Sequence, residues 1–403
     1  MEDKIFAGAV KTDVTPPVGY ILQGHSDRNK PSQKVHDPLL LKVLSIRKGK
    51  ERAILVTSDL VAFYPEFVTE TRNEITRITG IKKEQVLLTA SHTHTGPVMG
   101  NEATALPEYL SFLRFKIAGA VKEAVLREEP VRVKYGRGKI NIGIINRRKK
   151  TAEGVRMMPN PKGPIDEDVA LISFENAAQK PMALFFNYTC HPTTLSSDIY
   201  QISGDYPGVA QRELEKFYPG VIALFSNGCC GDVRPAIIKG NEFAGGTFAD
   251  IERMGKLLAA EVIQAQEKAE LLQVNEIKSR SEMFNFPFNQ KMMVRDKKSL
   301  EKVFRQYSYD KNKPLEHEIA WKKLWWKKLQ NGEKIPDAEI GELQVLKIGK
   351  LTIVGLPGEV MVEIGLKLKK AVKDIIIAGY ANGILDYIPT SSALKEGGYE
   401  ATS

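Results

Sequence analysis

The sequence has few cysteines and no long hydrophobic run. Cys190, Cys229 and Cys230 are the only cysteines among 403 residues, too few for a disulfide framework, and a bridge between the adjacent pair would be strained. No segment reaches the roughly 18 uncharged apolar residues that span a bilayer, and the N-terminus lacks the basic, apolar and small-residue order of a secretory signal. We therefore expect a fold without disulfides. As the sequence stands we expect a cytoplasmic protein, or a secreted or extracytoplasmic one if a leader was removed.

Positive charge is modest and unevenly spread along the chain. The formal net charge is +9, and residues 291–328 alone carry twelve Lys or Arg against five Asp or Glu. Proteins that bind nucleic acid usually show a broader basic stripe or a known module, and no zinc finger, helix-turn-helix or RNA-binding aromatic signature is present. We expect no nucleic-acid partner. The sequence indicates no particular oligomeric state.

Short β-branched runs alternate with helical patterns along most of the chain. The strand-like segments are Ala53 to Thr57, Val86 to Ala90, Val169 to Phe174, Met182 to Tyr188, Val221 to Phe225, Leu343 to Ile348, Leu351 to Leu356 and Asp374 to Ala378. The helix-like segments are Pro65 to Thr79, Pro107 to Glu128, Pro207 to Phe217 and Phe248 to Leu271. This alternation predicts an α/β or mixed α+β fold, with mixed β-sheets packed between helices in one large domain over residues 1–403.

The least sheet-like stretch, residues 289–337, is predicted to be a charged helical insertion in that domain. Residues 320–329 within it contain all three tryptophans, and Trp321 and Trp325 share one helical face with lysines mostly around the other. A basic aromatic helix can lie in a membrane interface and would give a peripheral membrane contact. A surface helix that packs its aromatic stripe on the protein body has the same pattern.

Histidine is also scarce, with six residues, and two of them form an HxH pair in Ser91 to Pro97. This motif directly follows the apolar strand Val86 to Ala90. In extended backbone, residues two apart point to the same face, so His92 and His94 can address one point in space. Strand ends that open into turns are where α/β proteins usually place their ligands. A polar turn with two solvated histidines is the alternative.

The same order of a strand followed by polar side chains recurs three times. His191 follows the strand that ends at Tyr188, Glu359 follows the one that ends at Leu356, and Tyr387 follows the run that ends at Ala378. Two imidazoles, a carboxylate and a phenolate would form a ligand set for a divalent metal of zinc type. Because these ligands are scattered over 296 residues, spacing alone leaves the metal site open.

Together, the ordered motifs of the chain resemble the neutral/alkaline, non-lysosomal ceramidase family. The resemblance runs from about Gly8 to the last residue and is weakest after Ile238. The motifs are Asp13 to Gly19, Ser91 to Pro97, Asn146-Arg147, Asn187 to Thr194, Gly204 to Gly208, Gly231 to Val233, Pro357 to Glu359 and Gly398 to Glu400. Each motif is weak singly, but the set and its order are specific.

The resemblance implies a zinc-dependent amidohydrolase that cleaves the N-acyl bond of ceramide, or of a related N-acyl lipid, by attack of metal-bound water. The residues that match the family's zinc ligands are His92, His191, Glu359 and Tyr387. The residues that match its other active-site groups are His94, which acts on the attacking water, Arg147, near the reacting carbonyl, and Tyr399, a further active-site tyrosine.

The chain departs from the family at Arg234, where characterised members carry a serine proposed as a nucleophile or substrate contact. A guanidinium cannot attack a carbonyl, which favours attack by metal-bound water. We expect Asp232 and Arg234 to contact the substrate, and the charge of Arg234 favours an anionic group over a long neutral lipid. We expect no counterpart here of the C-terminal immunoglobulin-like domain of longer members.

Two other functions remain open at this stage. The departure at Arg234 is compatible with a hydrolase of a different N-acyl or ester substrate. Residues 320–329 are compatible with a catalytically inactive protein that binds a membrane surface. Retention of every matched metal ligand favours the enzyme.

Overall fold

A computed structural model of the chain describes residues 4–100, 107–288, 296, 298, 299 and 327–402. Within these residues, no helix combines the length and the apolar character that crossing a membrane requires. The predicted insertion at 289–337 and the tryptophan-containing segment 320–329 lie mostly outside the described residues, although residues 327–330 are helical. The single-domain extent and the membrane contact therefore stay predictions.

Six α-helices lie fully within the described residues. They are α1 (Pro65–Thr79), α2 (Pro107–Leu126), α3 (Asp205–Phe217), α4 (Phe248–Glu267), α5 (Val362–Ala371) and α6 (Ser391–Glu396). The bounds predicted for α1 are confirmed, because Pro65 suits the first helical position and Gly80 takes the left-handed φ of 72° that ends the helix. The prediction that α4 extends to Leu271 was wrong. The helix ends at Glu267, and Glu270–Leu271 forms a short strand that pairs with the strand Glu129–Lys139.

The strands are numerous, and several are only two residues long. The first half of the chain contributes β1 (Ile5–Asp13), β2 (Lys34–Val35), β3 (Leu40–Lys48), β4 (Glu51–Ser58), β5 (Val86–Ala90), β6 (Glu129–Lys139), β7 (Ile144–Thr151), β8 (Gly154–Asn160), β9 (Asp168–Glu175) and β10 (Pro181–Tyr188). The second half contributes β11 (Gln201–Ile202), β12 (Ile222–Asn227), β13 (Val233–Pro235), β14 (Ile238–Lys239), β15 (Glu242–Phe243), β16 (Glu270–Leu271), β17 (Ile277–Pro287), β18 (Ala338–Ile348), β19 (Leu351–Gly355), β20 (Glu359–Val360), β21 (Ile375–Ala378) and β22 (Tyr387–Ile388).

The largest sheet in the described part of the chain has nine strands. Its order is β12-β10-β9-β6-β1-β3-β4-β5, with β16 paired to β6. A four-stranded sheet has the order β17-β18-β19-β21, and smaller sheets pair β13-β7-β8, β20-β22, β11-β2 and β14-β15. The pairs β4-β5, β10-β12, β19-β21 and β20-β22 are parallel, whereas most others are antiparallel. The mixed sheets predicted from the sequence are confirmed.

Alternation of side chains along the large sheet builds two buried layers. One face packs against helices: Val56 faces α1 and α2, and Phe186 faces α3 and α4. The other face packs against the four-stranded sheet, where Leu55 and Phe185 join the same apolar cluster as Ile353. Since each such strand is buried on both faces, it reads as a continuous apolar run. Packing on both faces therefore fixes the ends of these strands, from which the loops of the site begin.

Candidate metal centre and active site

The loop after β5 brings the imidazoles of His92 and His94 together. Their Nε2 atoms lie 3.2 Å apart. The expected extended backbone is absent here, because His92 takes a left-handed φ of 71° that non-glycine residues rarely adopt. The backbone N–H groups of Ser91 and His92 donate to the carbonyls of Ser58 and Leu60 at 2.8 and 2.9 Å, which holds this turn. The two rings meet because of a strained turn rather than strand alternation.

His191 reaches the same point from the end of β10. It is fully buried, and its Nε2 lies 3.1 Å from the Nε2 of His92, with ring centroids 4.7 Å apart. The ligand atoms of His92, His94 and His191 all lie within 4.8 Å of one another. Three imidazoles from two strand ends therefore converge, as the sequence predicted for His92 and His191.

Backbone carbonyls orient two of these rings. The Nδ1 of His92 lies 2.7 Å from the carbonyl oxygen of Val61, and that of His191 lies 2.9 Å from the carbonyl oxygen of Cys230. A carbonyl only accepts hydrogen bonds, so each Nδ1 carries the proton and each Nε2 of a neutral ring presents a lone pair. Two lone pairs facing each other repel unless a cation or a proton lies between them.

Burial favours the neutral form of His94 and His191 near pH 7. It lowers the pKa of His191 to about 4. Burial also holds the pKa of His94 well below its usual range. The neutral rings direct nitrogen lone pairs at the shared centre, and this is the state that binds a metal.

Glu359 adds a carboxylate to this centre. Its Oε2 lies 3.1 Å from the Nε2 of His191 and 3.4 Å from that of His92. Ligands 2.0 to 2.1 Å from a tetrahedral zinc ion are about 3.3 to 3.4 Å apart, so these separations fit such an ion. Imidazole nitrogen and carboxylate oxygen are also donors that zinc prefers. The residues present therefore fit a zinc ion.

A second cluster is built around Arg147. Its Nη2 donates to the Tyr387 hydroxyl and its Nε to Glu400, both at 2.8 Å. The guanidinium carbon lies 5.4 and 5.6 Å from the ring centroids of Tyr387 and Tyr399. Burial raises the pKa of Tyr387 well above its usual value, which keeps the hydroxyl protonated. The predicted Arg147, Tyr387 and Tyr399 are thus brought together.

The short parallel pair β20-β22 places the two clusters side by side, because Glu359 is the register partner of Tyr387. The Tyr387 hydroxyl accepts a hydrogen bond from Arg147. The Nε2 of His94 lies 3.2 Å from the Nε2 of His92 and that of His191 lies 3.1 Å from it, so distance does not separate the roles of His94 and His191. Two assignments therefore stay predictions: Tyr387 as a metal ligand, and His94 as the group that acts on water.

Asp232 and Arg234 are the residues expected to contact substrate. They lie on either side of Val233, whose backbone contacts His191. The backbone of Val233 between them accepts from the His191 N–H at 3.0 Å. The Asp232 carboxylate is buried and accepts from Asn146 Nδ2 and the Val362 N–H, both at 2.8 Å. Its described contacts are structural, and its role toward substrate stays a prediction. Arg234 lies over the Phe243 ring, 4.4 Å from its centroid.

Several groups at the site escaped the sequence reasoning. The carbonyls of Val61 and Cys230 leave no sequence signal, because every residue has one. Tyr380 stacks on the His92 ring with centroids 4.0 Å apart, and only its place beside the predicted strand end hinted at this. Glu400 could have been found, since it belongs to a motif already noted.

The fold and site therefore define an α/β protein with a buried donor cluster suited to a divalent metal. The sequence profile of the neutral/alkaline non-lysosomal ceramidase family, N-terminal part, matches residues 6–247. This match covers more than half of the chain, and the chain belongs to that family.

Individual relatives match shorter regions. The neutral ceramidase of Mycobacterium tuberculosis is 33% identical over 73 residues, which cover 16% of this chain and 12% of the relative. Neutral ceramidase A of Dictyostelium discoideum is 26% identical over 208 residues, which cover 46% of this chain and 29% of the relative. The matched regions span less than a third of the length of these curated relatives.

Solved structures extend the likeness over the whole fold. The crystal structure of neutral ceramidase from Pseudomonas aeruginosa is similar with a TM-score of 0.76 and 18% identity, covering 100% of this chain and 71% of that one. A structure described as ceramidase complexed with C2 gives a TM-score of 0.77 and 19% identity, covering 99% and 72%. At these identities the likeness is one of fold.

Proposed function

We propose that the chain is a zinc-dependent amidohydrolase that cleaves the N-acyl amide bond of ceramide or a related N-acyl lipid. The observation that supports this most is the convergence of His92, His191 and Glu359 on one point within a ceramidase-family fold. A buried set of acceptors without donors is costly by itself, and a bound cation removes that cost.

The chain's own residues supply the rest of the chemistry. When bound, zinc acts as a Lewis acid and makes water acidic enough to ionise near neutral pH. The Nε2 of His94 lies at the centre, 3.2 Å from the Nε2 of His92, so a neutral His94 can take a proton from the attacking water there and deliver it to the leaving amine. Arg147 and the Tyr399 hydroxyl supply donors for the oxyanion that forms at the carbonyl.

Two classes of substrate are candidates. A ceramide-like molecule is the first, since the family and a related structure bear the ceramidase name. The second is an N-acyl substrate that carries an anionic group, which the positive charge of Arg234 favours. The charge of Arg234 acts close to the site. After burial and the charge of Arg28, it contributes to lowering the pKa of His25 to about 4, and the His25 ring lies 5.1 Å from the His94 ring.

Metal content and hydrolysis measured together test the proposed function. We expect about one zinc per chain, loss of amidase activity on chelation, and recovery when zinc is restored. Ceramide, a short N-acyl amino acid and a matching ester, compared by kcat/KM, separate the candidate substrates. A protein without stoichiometric zinc, or one that hydrolyses none of these substrates with zinc bound, would contradict the proposal.

His94→Gln should separate proton transfer from metal binding. Glutamine keeps a polar side chain of similar size but cannot exchange a proton, so we expect kcat to fall about 100-fold or more, the range of general acid–base catalysis. Zinc content should stay near that of the parent protein if His94 acts on water. Loss of zinc in this variant would instead make His94 a ligand.

A further inference from the structure

A buried amide lies where the ligand-bearing strands end. Asn227 is the last residue of β12 and is fully buried. In the order of the large sheet, β12 and β5 are the two ends of the path. The side chain of Asn227 nevertheless reaches the residue that follows β5, so the two ends of this sheet come back together at the metal centre.

The contacts of Asn227 join the two histidine loops. Its Nδ2 donates to the carbonyl of Ser91 at 3.0 Å and to the carbonyl of Cys190 at 3.1 Å. Its Oδ1 accepts from the Cys190 N–H at 3.3 Å. Ser91 and Cys190 immediately precede His92 and His191, so one amide group holds the residue before each converging imidazole.

Peptide planarity gives these contacts a consequence for the rings. The carbonyl of Ser91 lies in the same rigid plane as the nitrogen and Cα of His92, and the carbonyl of Cys190 is related to His191 in the same way. A donor pair on one planar amide therefore fixes both planes relative to each other. The left-handed φ of His92 adds to the need, because a strained conformation persists only where its surroundings determine it.

We propose that Asn227 is a positioning residue that sets the spacing of His92 and His191 for the metal. The inference rests on the proposed function, because it takes these two imidazoles as zinc ligands. Asn227 acts through the backbone of both loops and does not itself touch the centre. Its removal should weaken metal binding and alter the coordination geometry beyond any general loss of stability.

The chain offers a closely matched control in Asn187. That side chain is also buried, and its Nδ2 also donates to two backbone carbonyls, those of Ser226 and Ile377, at 2.9 and 3.0 Å. Neither acceptor precedes a histidine. The Ser226 carbonyl belongs to the peptide before Asn227, so Asn187→Asp disturbs that peptide but leaves the Asn227 amide and its own contacts in place. Asn227→Asp and Asn187→Asp keep the shape of the side chain and remove the same two donors, so both variants should lose comparable stability.

The experiment measures zinc affinity by competition with a chelator, the visible spectrum of the cobalt-substituted protein, and kcat and KM, in the parent and both variants. We expect Asn227→Asp to weaken zinc binding about 10-fold to 100-fold, as loss of groups that orient ligands does. We also expect a shifted cobalt spectrum and a lower kcat with KM little changed. Asn187→Asp should leave all of these near the parent values.

The outcomes separate this inference from the proposed function. Equal zinc affinities and cobalt spectra in the two variants would overturn the role of Asn227. A parent protein that takes up no stoichiometric zinc would overturn the proposed function itself. If Asn227→Asp does not fold, the pair Asn227→Ser and Asn187→Ser is compared in the same way, because a serine hydroxyl has one donor and cannot serve two carbonyls.

Discussion

Replacing His191 with alanine is expected to remove stoichiometric zinc and to lower amidase activity by about 1,000-fold or more. The ring is fully buried, and its Nε2 lies within 3.1 Å of both the His92 Nε2 and the Glu359 Oε2. Without it, only His92 and Glu359 remain of the three groups that the proposed function rests on. Lewis-acid stabilisation by a metal is worth several kcal/mol, and about 4 kcal/mol corresponds to a factor of roughly 1,000 in rate.

Zinc analysis and steady-state kinetics check this expectation, with His92→Ala as the parallel variant. A suitable control is His36→Ala, since the His36 ring stacks on Phe248 with centroids 3.8 Å apart and belongs to no ligand cluster in the described residues. The control should keep zinc and activity. Full activity in both His92→Ala and His191→Ala would rule out a metal centre between these rings.

Much of the fold could be predicted because buried strands carry a strong signal. The strand Val86–Ala90 and the helix Pro65–Thr79 agree with the prediction at both ends, since apolar runs, a starting proline and a terminal glycine mark them locally. Strands such as β1 and β3 were missed. The pairing of β1 with β3 is long-range, which hides β1 from a local pattern. For β3 a local signal existed and was not used, because Gly49 forms the tight turn of the β3–β4 hairpin.

The candidate site shows the same division between local and long-range information. A strand followed by a histidine or a glutamate is visible in the sequence, so His191 and Glu359 were found. Whether such residues share a centre depends on strand order, and the left-handed turn at His92 is invisible to an argument from alternation. Asn227 carries no chemistry of its own and reads in the sequence as an ordinary strand end. Cytoplasmic or extracytoplasmic location stays a prediction.

Glu400→Gln should produce the largest loss of stability among single changes near the site. Glu400 is buried, and its two oxygens accept from Arg147 Nε at 2.8 Å and Arg148 Nη1 at 2.6 Å. Glutamine removes the negative charge, which leaves Arg147 buried without its anion and Arg148 with only Glu396, 3.8 Å away. Breaking a buried ion pair in this way costs about 3 to 5 kcal/mol, which denaturant unfolding of the parent and variant would measure.

Activity in the same variant tests whether Arg147 is held for catalysis, and Glu128 provides the matched control. Glu128 also bridges two arginines, Arg47 at 2.6 Å and Arg52 at 2.9 Å, but their side chains are 28% and 16% exposed, against 4% for Arg147. Water can solvate these arginines in part, so Glu128→Gln should cost less stability and leave kcat near the parent value. Glu400→Gln should lower kcat even under conditions where the variant is fully folded, because Arg147 then loses the partner that aims it at Tyr387. Equal kcat values for the two folded variants would mean that the Arg147 cluster serves stability alone.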